Sequence, residues 1–229
     1  MSATSDNTTA HPASEYEREV RMTIPHHQTI VEQAIEVAFA LVPSPARWLD
    51  TGCGPGRLVE IARKLDADTR FTLADPSAAM LELARKHNPG LPAEAFVPAG
   101  TDALPDLGSF DVITAILCHH YYEDPEGRRL ALRRARSLLA PGGALIVVEN
   151  VRAETPFGHA VQRRRWEAWQ KAQGREARVI EAQLAREGTR FFPIRVSEHL
   201  ALLGELGFAS VELFYRAYGQ AGFVAVAPA

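Results

Sequence analysis

The chain has 229 residues, a formal net charge of −3, 46% hydrophobic and 23% charged residues. That balance excludes wholesale disorder and coiled coil, and it gives no overall pull toward nucleic acid. A chain of this length hides about 70–75% of its unfolded surface on folding, so one self-sufficient domain is expected. No apolar run approaches the roughly 20 residues needed to span a bilayer, and the N-terminal stretch carries no apolar signal core. Cys53 and Cys118 are too few for a disulfide framework. The expectation is a cytoplasmic protein whose partner is a small molecule, with neither a membrane nor a nucleic acid partner.

Residues 1–14 are polar and poor in large apolar groups, and they read as a disordered tail. From Tyr16 a helical stretch follows, with Ile30, Ala34, Val37, Ala38 and Leu41 on one face, ended by Pro43 and Pro45. Residues 15–44 are therefore expected to form a helical lid. Between 47 and 150 strands and helices alternate. Strand runs fall at 47–50, 71–75, 95–98, 110–117 and 144–150, with helices at 57–66, 77–87 and 126–140. Asp124-Pro125 supplies a cap and a first-turn proline for the last helix, and Pro141-Gly142-Gly143 stops it. Its arginines, 128, 129, 133, 134 and 136, read as a solvated face with Leu130, Ala131, Ala135 and Leu138 inward.

Apolar strands separated by amphipathic helices predict a parallel α/β sheet covered on both faces. Residues 151–195 read as a helical insertion, with Ala177, Ile180 and Leu184 on one face and Trp166 and Trp169 one turn apart. Residues 196–229 read as a helix followed by a hairpin around Gly219-Gln220, which would add an antiparallel edge strand. The whole of 15–229 is expected to be a single domain built on the 45–150 core.

The segment WLDTGCGPGRL, residues 48–58, follows a strand and opens a helix. Its glycines, 52, 54 and 56, let backbone approach a ligand, and the helix start offers free N–H groups. The spacing is not the dinucleotide G-x-G-x-x-G, because Arg57 stands where a third Gly or Ala belongs. No Gly-Lys-Ser/Thr follows, so a mononucleotide P-loop is excluded as well. Asp50, just before the loop, suits an ammonium group better than a pyrophosphate. Asp75 closes the second strand and is placed to accept ribose hydroxyl protons. Asp102 could accept from an adenine amino group, and Leu117 with Cys118 could floor the ligand.

Together LDTGCGPGR, LADPSAAML, AGTDALP, FDVITAILCHHYYED and LLAPGGALIVVEN, in this order over about 45–150, resemble the class I S-adenosylmethionine-dependent methyltransferases. Pro55 departs from the Thr or Ser often found there. The resemblance implies a Rossmann-like, seven-stranded, mostly parallel sheet with one antiparallel edge strand, helices on both faces, and a helical cap from the N-terminal segment and 152–195. It also implies methyl transfer from S-adenosyl-L-methionine, with S-adenosyl-L-homocysteine as product. By position Asp50, Thr51, Gly52, Cys53, Gly54 and Gly56 would hold the methionyl end. Asp75 and Pro76 would hold the ribose, Met80 and Ala103 would pack the adenine, and Thr101 and Asp102 would bound its amino edge.

Weaker similarity outside the core, Y…R-x-x-I-P and E-H-x-x-L-L-x-x-x-G-F…Q-A-G-F, resembles small-molecule methyltransferases and carboxy-S-adenosylmethionine synthases. The expected acceptor is a small molecule. The alternatives are a modified, carboxylated S-adenosylmethionine or an RNA or protein acceptor.

A base is needed only if the acceptor arrives protonated. His119 and His120, after the fourth strand, are the candidates; the other reading is one structural and one solvated imidazole. No spaced ligand set points to a metal. Tyr16, His26, Tyr121, Trp166, Arg195 and Tyr215 are candidate walls of the acceptor pocket, and Trp166 with Trp169 either caps it or packs the insertion. A homodimer is compatible with all of this.

Overall fold

The computed structural model describes residue 9 and residues 11–229. Seven strands form one sheet: β1 (Arg47–Thr51), β2 (Arg70–Ala74), β3 (Phe96–Val97), β4 (Phe110–Ile116), β5 (Leu139–Asn150), β6 (Ser210–Ala217) and β7 (Gln220–Val226). Their order is β3-β2-β1-β4-β5-β7-β6. The first five are parallel, while β7 runs antiparallel to both β5 and β6. This is the expected mostly parallel sheet with its terminal hairpin.

Pleating divides the core. Trp48, Leu73, Val112 and Ile146 face one side, under α2 (His27–Leu41), α3 (Arg57–Leu65) and α4 (Ala78–His87). Leu49, Ala74, Ile113, Leu145 and Phe223 face the other, under α5 (Pro125–Ser137) and α8 (Val196–Glu205). Caps fix where several helices begin. Ser77 accepts the Met80 amide at α4, and Asp124 accepts the Glu126 amide ahead of Pro125 at α5. A third group of buried residues lies over the carboxyl end of the sheet. There Val20 and Ile24, from α1 (Tyr16–Thr23) and its end, meet Leu117, Val148, Trp166, Ile180 and Leu184. Trp166 belongs to α6 (Pro156–Ala172), and Ile180 and Leu184 to α7 (Ala177–Leu184).

The structure corrects several sequence expectations. The N-terminal helix is broken: Pro25 follows Ile24, and His26 takes a left-handed φ of 57° before α2. Leu41 and Ala177 are exposed, because each sits where its helix outruns the surface it packs on. Of the proposed tail, residues 1–8 and 10 lie outside the described residues; Ala13–Glu15 form a 3₁₀ turn with Ala13 buried. The α5 arginines are not all solvated. Arg128 is 3% exposed, with Nε donating to the His119 carbonyl, while Leu130 faces water. β5 starts at Leu139, earlier than expected, since its first residues pair with Phe110 across a register shift. No helix among the described residues is long and apolar enough to cross a membrane.

Trp166 joins two lid elements: it is buried, and its indole Nε1 donates to the Thr23 carbonyl at 2.6 Å. Replacing it with alanine should cost about 3–5 kcal/mol, the range for large aromatic deletions. Urea unfolding measures this, and a change under about 1 kcal/mol would show that the lid does not contribute to global stability.

Candidate active site

The carboxyl ends of β1, β2 and β4 meet around the glycine loop. Gly52 has φ +63°, and a Cβ there would lie 2.4 Å from the Cβ of Cys118. A side chain at 52 is therefore excluded both by conformation and by the neighbouring loop. Gly54, at φ +51°, is different: a Cβ there meets nothing within 4 Å, so the bare backbone faces open space. Asp75 ties the loop to β2, with Oδ2 accepting the Gly54 amide and Oδ1 the Ser77 amide, both at 2.9 Å.

Two cavities flank this loop. One, of about 300 Å³, is lined by Gly52, Gly54, Asp75, Pro76, Met80, Thr101, Asp102, Leu117 and Cys118. The other, of about 330 Å³, is lined by Asp50, Gly52, Cys53 and Gly54, together with Arg21, His27 and Arg57. Tyr16, Gly52, Gly54 and Ile116 line both. The structure thus gathers most of the residues expected to hold a cofactor.

Three of those residues lie apart. Thr51 is buried behind the loop, sharing a 2.8 Å hydrogen bond with Thr101 Oγ1. Gly56 packs against Asn88 and Ala84, and Ala103 is exposed on its 3₁₀ turn. Asp102 Oδ1 accepts the Tyr122 hydroxyl at 2.6 Å, a partner the sequence reading did not foresee.

A third recess, of about 40 Å³, shares Tyr16, Leu117 and Tyr121 with the 300 Å³ cavity, and His120 and Asn150 line it. Leu117, at the junction, holds a left-handed φ of 56°, uncommon for a bulky residue. Of the expected acceptor walls, Tyr16 and Tyr121 are there. The other four are not. His26 is exposed beside Tyr218, and Trp166 is committed to the Thr23 carbonyl. Arg195 caps α8 in the open and pairs with Glu198, and Tyr215 packs on the lid core.

The two histidines separate. His119 Nε2 sits 2.9 Å from Thr101 Oγ1 and lines the larger cavity. Burial pushes its pKa down to about 4, so it is neutral. His120 lines the small recess, and its Nδ1 lies 2.7 Å from Oε2 of Glu149. Burial raises the Glu149 carboxyl, but the His120 hydrogen bond and the nearby imidazoles outweigh it and hold the group at about 2. Sequence reading missed Glu149, because it lies inside an apolar strand run. Cys118, His119 and Glu149 offer donor atoms within 4.8 Å of one another. Both Glu149 oxygens already accept hydrogen bonds, from the amides of His119 and His120 and from the His120 ring. The cluster is a loop anchor.

A methyltransferase-domain family model matches residues 49–145. Over that stretch, less than half of its length, the chain is similar to a methyltransferase domain. A carboxy-S-adenosyl-L-methionine synthase from Wolinella succinogenes is 29% identical over 211 residues, covering 89% of this chain and 85% of that protein. A ubiquinone biosynthesis O-methyltransferase from Xanthomonas axonopodis is 34% identical over 128 residues, and the match spans only 52% of it. Among solved structures, an O-methyltransferase family protein from Burkholderia thailandensis has a TM-score of 0.68 at 15% identity, covering 94% of this chain and 58% of that one. The plantazolicin methyltransferase BpumL also has a TM-score of 0.68, at 14% identity, covering 95% and 89%. These two likenesses show the fold.

Asp50 is 2% exposed, and Thr114 Oγ1 donates to its Oδ1 at 2.7 Å. Burial raises its pKa to about 7; the Thr114 bond opposes that rise and the Asp75 charge adds to it. Because the folded state holds this proton more tightly than the unfolded chain, Asp50 contributes stability at low pH that is lost as pH rises from about 4 to about 7. Asp50→Asn removes this loss, so its melting temperature relative to the unsubstituted protein should rise between about pH 4 and about pH 7 and level off above that. A difference that does not change with pH would show that the carboxyl titrates normally.

Proposed function

We propose that this methyltransferase transfers the methyl group of S-adenosylmethionine to a small-molecule acceptor. The cofactor supplies an electrophilic methyl carbon on a sulfonium. In this reading Asp50 takes the methionyl ammonium, Arg21 in the same cavity takes the carboxylate, and the Gly52–Gly54 backbone lies alongside. Asp75 takes the ribose hydroxyls, Met80 packs the base, and Asp102 accepts from its amino edge. The cavities fit such a ligand: the buried acids Asp50 and Asp75, the cation Arg21 and a side-chain-free strip of backbone lie around a shared boundary.

The observation that carries the acceptor class is the recess beside Leu117, about 40 Å³ in volume, which shares Tyr16, Leu117 and Tyr121 with the 300 Å³ cavity. It has room for a few heavy atoms, and not for a base stack or a peptide segment. Tyr16, Tyr121 and Leu117 hold the acceptor against the cofactor and keep water out, which is the main contribution a protein makes to such a displacement. Of the two candidate bases, His120 faces this recess and His119 does not.

A second reading is favoured by one comparison. The relative matched over 89% of this chain is a carboxy-S-adenosyl-L-methionine synthase, so the ligand could be the carboxylated sulfonium. Native mass spectrometry of the purified protein separates the two by the mass of the retained adenosyl compound.

Calorimetric titration with S-adenosylhomocysteine tests the cofactor site. Binding is expected, and Asp75→Ala should weaken it by about 1–3 kcal/mol, or about 5- to 150-fold. Asp75 also anchors Gly54 and Ser77, so the variant's melting curve must first show it folded. Unchanged affinity would remove Asp75 from the site, and no binding by the unsubstituted protein would overturn the proposal.

A further inference from the structure

Sheet register builds a hydrogen-bond chain behind Asp50. Asp50 on β1 lies opposite Thr114 on β4, and Trp48, two residues earlier, points to the same face of the sheet. All three are buried. Trp48 Nε1 donates to Thr114 Oγ1 at 3.1 Å, and Thr114 Oγ1 donates to Asp50 Oδ1 at 2.7 Å. An indole N–H can only donate, so it occupies one lone pair of the threonine oxygen, whose own proton must find an acceptor. Asp50 Oδ1 is that acceptor; the Leu49 carbonyl, the other in reach, lies at 3.5 Å.

This chain treats the two carboxylate oxygens unequally. Oδ1 is kept as an acceptor, because a carboxyl donating back to Thr114 would leave the hydroxyl with the long Leu49 contact alone. Oδ2 has no hydrogen bond among the described residues, and Asp50 lines the cavity of about 330 Å³. A proton taken up by Asp50 therefore sits on Oδ2, where a ligand ammonium would also have to sit. Around it, Asp75 adds negative charge, burial keeps the Cys53 and Cys118 thiols protonated, and burial keeps His27 neutral. Arg21 lines the same cavity, as do Glu17 and Glu60, both paired with Arg57.

On the assignment of Asp50 to the methionyl ammonium made above, we propose that Thr114, fixed by Trp48, is a positioning residue. It reserves Asp50 Oδ2 for that ammonium, and the ligand displaces a proton from the same oxygen on binding. The Oδ2–H bond breaks, its electron pair stays on oxygen, and the proton goes to the buffer. Burial raises Asp50 to about 7, so part of the protein carries that proton at neutral pH. Affinity for an ammonium-bearing ligand then rises about tenfold per pH unit below about pH 7 and levels off above it. An adenosyl compound without the amino-acid end displaces no proton.

The test is calorimetric titration of the full chain with S-adenosylhomocysteine and with 5′-methylthioadenosine, which lacks the ammonium. Both are titrated from about pH 5.5 to about pH 8, in two buffers of different ionisation heat. S-adenosylhomocysteine should release about one proton at the acid end, and its affinity should break near pH 7. Methylthioadenosine should bind with neither the release nor the break.

Thr114→Val should move the break up by about one pH unit or more, as for loss of a hydrogen bond to a charged group. At about pH 6 that weakens S-adenosylhomocysteine about tenfold and leaves methylthioadenosine within about twofold. Thr114→Ser should restore the break. If Thr114→Val does not fold, Trp48→Phe, which frees the hydroxyl to turn, should move the break in the same direction. The proposal is overturned by S-adenosylhomocysteine binding without proton release, by a break that stays in place in these variants, or by equal weakening of both ligands. If methylthioadenosine does not bind, the position of the S-adenosylhomocysteine break decides alone. Two separate results strike the underlying reading: unchanged S-adenosylhomocysteine affinity in Asp50→Asn at about pH 8 removes Asp50 from the ammonium, and failure of both ligands to bind the unsubstituted protein removes methyl transfer.

Discussion

A Cβ at position 52 would stand 2.4 Å from the Cβ of Cys118, and the rest of the site follows from that closeness. The loop after β1 and the loop after β4 touch because residue 52 has no side chain and accepts φ +63°. Their contact leaves one cavity on each side of the glycine strip and brings Leu117 to the junction with the acceptor recess. Asp75 then keeps the loop from relaxing, since releasing it would leave the Gly54 and Ser77 amides without their acceptor. The cost of this geometry is visible at Leu117, whose left-handed φ is held by a 2.6 Å bond from its amide to Val148.

Two buried carboxylates, on β1 and β5 with β4 between them, are driven in opposite directions. Asp50 has one donor, Thr114, and burial lifts it to about 7. Glu149 has two backbone amides and an imidazole, and it is held at about 2. Burial penalises both; the His120 bond and the neighbouring imidazoles keep Glu149 charged, whereas at Asp50 only Thr114 opposes burial and the Asp75 charge adds to it. An acid already saturated by its own chain is fitted to orienting that chain.

The core was legible because each of its signals is local. A glycine loop after a short apolar run and an acid closing the next strand each follow from backbone requirements that one segment reveals, whereas Pro141-Gly142-Gly143, expected to stop a helix, lies inside β5. Cap residues Ser77 and Asp124 likewise announce their helices. What escaped depends on residues far apart. Glu149 looked like a strand residue facing nowhere in particular, and its meaning comes from two amides some thirty positions earlier. Arg128 reads as surface on its own helix, yet it crosses to the carbonyls of His119 and Phe192. Arg195 has the composition of a substrate contact but is held by Glu198 outside the recess. No periodicity in one segment carries such information.

The same division separates chemistry from selectivity. Residues 49–145, matched by the family model, build the glycine strip and its acids. The small recess is lined by Tyr16 and Val20 from α1 and by Phe191 beyond α7, segments outside that match, and by Leu117 and Tyr121 from within it. Trp166 Nε1 bonded to the Thr23 carbonyl joins α6 to the end of α1 within one buried cluster. A wall built from interlocked aromatics resists gradual widening, because each methylene lost in a close-packed cluster opens a void that its neighbours only partly fill. The dimensions of the recess are therefore set by the packing of these helices, apart from the glycine strip.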